Sequence, residues 1–97
     1  MTPDEIKVFA DEEVKGIQAE LAALQATPDR KWLHERYTAI GSTLPGKHFA
    51  EGKPEIYKNY YLLYSELVFQ RHLPEKETLP ILGYLFDRMA LHEVKAP

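Results

Sequence analysis

The sequence predicts an all-α fold, a small antiparallel bundle of four helices forming one domain over residues 1–97. Three observations carry this. Apolar residues recur at helical spacing in several long windows. Period-2 alternation is absent and β-branched residues are few, so no strand is expected. Proline and glycine divide the chain into four segments, at about 3–26, 28–40, 54–72 and 79–94.

The first segment opens on Thr2-Pro3-Asp4-Glu5. Thr2 fits an N-cap, Pro3 the first helical position and Glu5 the reciprocal acceptor of a capping box. Ile6, Ala10, Val14, Ile17, Leu21 and Leu24 are spaced by three or four. On a helical wheel they fall within about an 80° stripe, the expected core face. Gly16 interrupts this segment at a cost of about 1 kcal/mol relative to Ala.

Thr27-Pro28-Asp29 repeats the opening tripeptide and is expected to cap the second helix. The apolar patterns that follow the two tripeptides do not align, so the echo is not a duplication. Leu33, Tyr37 and Ile40 form the second helix's apolar face, with Gly41 as its expected C-terminal stop. Residues 41–53 then read as a long loop, unusual in so small a domain.

Tyr57, Tyr60, Tyr61, Tyr64, Leu67 and Val68 make one broad face of the third helix, while Leu62 and Phe69 lie well round the cylinder, at about 120–140° from Tyr57. The linker 73–77 is short enough to make the third and fourth helices antiparallel neighbours. The fourth helix is expected to begin at Thr78-Leu79-Pro80, with Thr78 as cap. It too is two-sided: Leu82, Leu85, Phe86 and Met89 on one face, Tyr84 and Leu91 on another. A helix apolar on two sides is either central in its fold or meets a partner.

Composition narrows the functional classes. A domain of this size buries only roughly 60–65% of its unfolded surface. Apolar residues make up 44% of the chain, enough for a core. Twelve basic and fifteen acidic residues give a net charge of −3, which favours solubility and disfavours nucleic acid or an anionic membrane as partner. With no cysteine, thiolate metal sites and thiol nucleophiles are excluded. The stretch MTPDEIKVFADEE has no basic or apolar region of a signal peptide, and no apolar run reaches the roughly 18–20 residues of a membrane span. A cytoplasmic location is the default expectation.

No catalytic or cofactor motif is present. His34, His48, His72 and His92 lack the three- or four-residue spacing of helical metal ligands, so no metal is expected. Gly41 to Lys47 has the glycine and lysine spacing of a phosphate-binding loop, but His48 stands where the magnesium ligand belongs, and no strand precedes it. Residues 1–26 hold six acids and two bases, and residues 27–58 six bases and four acids.

Three readings follow. The first is a non-enzymatic interaction or regulatory module that binds a protein partner or a second copy of itself. Its surface would include Tyr57, Tyr60, Tyr61, Leu62, Tyr64, Phe69, Tyr84 and Leu91. The second is a small-ligand or enzymatic site inside the bundle, lined by tyrosine and histidine, which requires a pocket of about 300 Å³ or more with converging polar groups. The third is weak anion or nucleic-acid binding by Arg30, Lys31, Arg36, Lys47 and Lys53.

Overall fold

The first helix, α1, starts where its capping box places it. It runs through Pro3–Phe9, Ala10–Val14 and Lys15–Ala26 without a break, its middle segment wound as a π-helix. The Glu5 amide donates to Thr2 Oγ1 (3.2 Å) and the Thr2 amide donates to Glu5 Oε1 (2.8 Å). All six residues of the predicted stripe, from Ile6 to Leu24, are buried. The computed structural model of the chain describes residues 1–48 and 55–88, without the side chains of 44–48 and 55–57.

The echo at Thr27 does something else. Its hydroxyl donates back to the Ala23 carbonyl (2.8 Å) and caps nothing ahead of it. Arg30 stands where a capping box needs Glu or Gln, so the reciprocal bond cannot form. A 3-10 turn, Pro28–Arg30, leads instead into α2, Lys31–His48.

That helix passes straight through the expected stop at Gly41, and the first eight residues of the predicted loop are helical. Ser42 and Thr43 turn their hydroxyls onto the Ala39 (3.0 Å) and Ile40 (2.8 Å) carbonyls, a bonding pattern compatible with continued helix. The remainder of the predicted loop lies outside the described residues. The phosphate-loop spacing at Gly41 to Lys47 therefore falls on helix and forms no cradle.

Helix α3 spans Glu55–Ser65 and continues as a second π segment, Glu66–Gln70. It closes on His72, whose φ of 59° is left-handed, while the Leu73 amide donates to the Leu67 carbonyl (2.8 Å). Helix α4 covers Glu75–Arg88, so it starts earlier than Thr78. Thr78 is fully buried in its first turn, and its hydroxyl donates to the Pro74 carbonyl (3.3 Å). Pro80 lies inside α4 and not at its start. Residues 89–94 of the predicted fourth helix lie outside the described residues.

Burial identifies the central helix as α4. Thr78, Pro80, Ile81, Leu82, Gly83, Tyr84 and Phe86 are all buried, and Ile81 and Phe86 retain no exposure. Its closest neighbour is α2, although it also touches α1 and α3. The cause is a pair of glycines. A Cβ on Gly41 would overlap the Leu79 carbonyl, and one on Gly83 would overlap the Tyr37 carbonyl. Two glycines let the backbones of α2 and α4 meet without intervening side chains. The molecule's shortest dimension is 19 Å, about two helix diameters. Among the described residues every element is helical, with no strand.

Candidate functional site

The aromatic residues of α3 divide into two sets. Tyr60 and Tyr64 point inward and are buried. The Tyr60 ring packs on Phe86 of α4, with centroids 4.1 Å apart. Burial raises its hydroxyl's pKa to about 12. Tyr64 donates a 2.5 Å hydrogen bond to Glu75 at the start of α4, and that bond, with burial second, pushes it up to about 12 as well. Both tyrosines therefore hold α3 to α4.

Tyr61 and Phe69 belong to the other set. They keep 42% and 60% of their exposure. Leu62 between them is half-buried against the core, and Phe69 packs edge-on to Tyr64 with centroids 6.0 Å apart. Tyr61, Leu62, Ser65 and Phe69 stand at i, i+1, i+4 and i+8, on one side of α3. Tyr57 lies on helical backbone with its side chain outside the described set, and Leu91 lies outside the described residues.

Arg71 fixes the lower end of that face. Its guanidinium binds Glu66 of the α3 π segment (2.7 Å) and Asp11 of the α1 π segment (2.7 Å), and donates to the Lys7 carbonyl (3.3 Å). Glu66 and then Asp11 raise its pKa, so it is permanently charged. Glu66 is a buried carboxylate, and Arg71 is its counter-ion. Sequence reading passed over Arg71, since its partners stand on another helix and in a π turn that no sequence period reveals.

A second feature is a pocket of about 300 Å³ between α1, the 3-10 turn, α2 and α4. Ala23, Leu24 and Leu33 are its apolar walls, and Glu20, Arg30, Tyr37, Tyr84 and Arg88 its polar ones. Arg88 Nη1 donates to the Tyr84 hydroxyl (2.8 Å), which donates to Glu20 Oε1 (2.7 Å). Burial and then the bond to Glu20 raise the Tyr84 pKa. The Tyr37 ring meets Tyr84 edge-to-face at 5.3 Å. Tyr84 belongs to this network and to the core, and not to an exposed face. Two tyrosines line this pocket, but it opens to solvent beside exposed Glu20, Arg30 and Arg88, and no histidine is among its described lining residues.

Three of the five predicted anion-binding residues have described side chains. Arg30 lines the pocket and Lys31 is exposed. Arg36 pairs with Asp87 of α4 (3.3 Å). The Lys47 side chain and all of Lys53 lie outside the described residues. His34 lines a separate pocket beside Thr38 and Pro80, and His72 is exposed. The His48 side chain and His92 lie outside the described residues. Among the described residues no three histidine or carboxylate side chains cluster as metal ligands would. No described helix is long and apolar enough to cross a membrane. The chain matches no family model, and no curated protein or solved structure is significantly similar to it.

Proposed function

We propose that this chain is a helical interaction module that pairs with a second copy of itself through the outer side of α3. One observation carries the reading: Phe69, a large aromatic, keeps 60% of its exposure on the same side of α3 as Tyr61 and the half-buried Leu62. Aromatic residues serve as interface anchors because they bury much area and lose few rotamers on doing so. A two-fold pairing uses one patch twice, so a single helix face suffices. Tyr60 and Tyr64 contribute from beneath, by fixing α3 against α4. Arg71 fixes its far end against α1.

Sedimentation velocity over a range of protein concentrations tests this. A concentration-dependent dimer is expected, and Phe69→Ser should return the protein to a monomer.

A further inference from the structure

The α1–α2–α4 pocket lies apart from the α3 surface, and no α3 residue lines it. Tyr37 lines it, and its hydroxyl makes no hydrogen bond to another described residue. Neighbouring Tyr84 shows the contrast, since its hydroxyl both donates and accepts. The charges of Asp87, Arg36, Glu20 and Arg30 all reach the Tyr37 hydroxyl, which places it among the pocket's polar groups.

The formal charge of the lining fixes the class of ligand. Among the described lining residues Arg30 and Arg88 are cationic and Glu20 is anionic, leaving one net positive charge. Asp87 and Arg36, whose charges also reach Tyr37, form an ion pair with each other. Arg30 makes no ion pair or side-chain hydrogen bond among the described residues, so its guanidinium fork is available. Such a fork matches a carboxylate with two parallel bonds. Ala23, Leu24 and Leu33 offer apolar wall to whatever bears the carboxylate. A volume of about 300 Å³ sits at the small end of ligand sites. A phosphate dianion would meet the Glu20 carboxylate with more charge than the site neutralises.

We propose that this pocket binds a small, singly charged organic carboxylate, with Arg30 and Arg88 on the acid group, the Tyr37 hydroxyl donating to it, and Leu24 and Leu33 against its apolar body.

The test is a titration of the full chain with sodium benzoate, followed by amide chemical shifts, with inorganic phosphate as a parallel arm. Arg30 is exposed on the 3-10 turn, so Arg30→Gln leaves the core intact; Tyr37→Phe keeps the ring and removes only the hydroxyl. Benzoate should give saturable shifts at Ala23, Leu24, Arg30 and Leu33. Arg30→Gln and Tyr37→Phe should each weaken binding roughly tenfold or more, as expected for charge-assisted hydrogen bonds to the carboxylate. Absence of saturable shifts at roughly millimolar benzoate would overturn the proposal. So would shifts that persist unchanged in both variants. Phosphate binding as tightly as benzoate would overturn the assignment to a singly charged carboxylate.

Discussion

The crossing of α2 and α4 and the outer side of α3 are opposite solutions within one small domain. At the crossing the backbones are so close that neither Gly41 nor Gly83 has room for a Cβ. On α3, an aromatic ring as large as that of Phe69 keeps 60% of its exposure. A domain of this size has little apolar surface to spare. Under the proposed pairing, the open face is the one that a second copy would cover.

The largest effect should come from filling the crossing. Gly83→Ala or Gly41→Ala forces a methyl group into a carbonyl of the facing helix, and neither backbone can yield without moving its whole helix. Each should cost about 3 kcal/mol or more, read as a lower urea midpoint. A cost of only a few tenths would mean that the helices do not cross as closely as described.

Alkaline pH separates the inward tyrosines of α3 from its outward residues. Tyr60 and Tyr64 have native pKa values raised to about 12, against about 10 when unfolded. Between those values the unfolded chain loses protons that the native one keeps. The stability from these two groups is therefore full below pH 10 and is lost as pH rises towards 12. Urea midpoints across this window should fall less steeply in Tyr60→Phe than in the parent.

Gly16 provides the control for the glycine argument. It lies within α1 like the other two within their helices, yet a Cβ there meets nothing within 4 Å. Gly16→Ala should stabilise the fold by about 0.5–1 kcal/mol, through helix propensity and a less flexible unfolded chain. The same substitution thus changes sign between α1 and the crossing.

How legible each region was in the sequence follows from the range of the forces that shape it. Helix α1 could be read almost whole, because its capping box is local and its buried stripe follows one period from Ile6 to Leu24. The π segment at Ala10–Val14 did not displace that stripe. Gly41 was misread because the local rule for glycine is termination, whereas here it answers a need 38 residues away, at Leu79. Gly83, in mid-helix, carried the same signal of close approach, legible only when paired with Gly41. Thr27 was misread for a related reason: a threonine before proline fits a cap, but its hydroxyl found the Ala23 carbonyl behind it. The two-sidedness of the second half was visible, though the central helix proved to be α4. The pocket groups Glu20, Tyr37, Tyr84 and Arg88 come from three helices, and no spacing rule joins them.

Phe69→Ser is the smallest perturbation of the fold and the most direct test of its use. Monomer stability should change by about 1 kcal/mol or less, the scale of its edge-on contact with Tyr64. Sedimentation velocity of the parent and of this variant, each over the same concentration series, decides between a working surface and an idle one. The prediction is a parent that shifts from monomer to dimer with concentration and a variant that stays monomeric. A parent that remains monomeric at every concentration, or a variant that dimerises equally well, would contradict the assignment of the outer side of α3 as the interface.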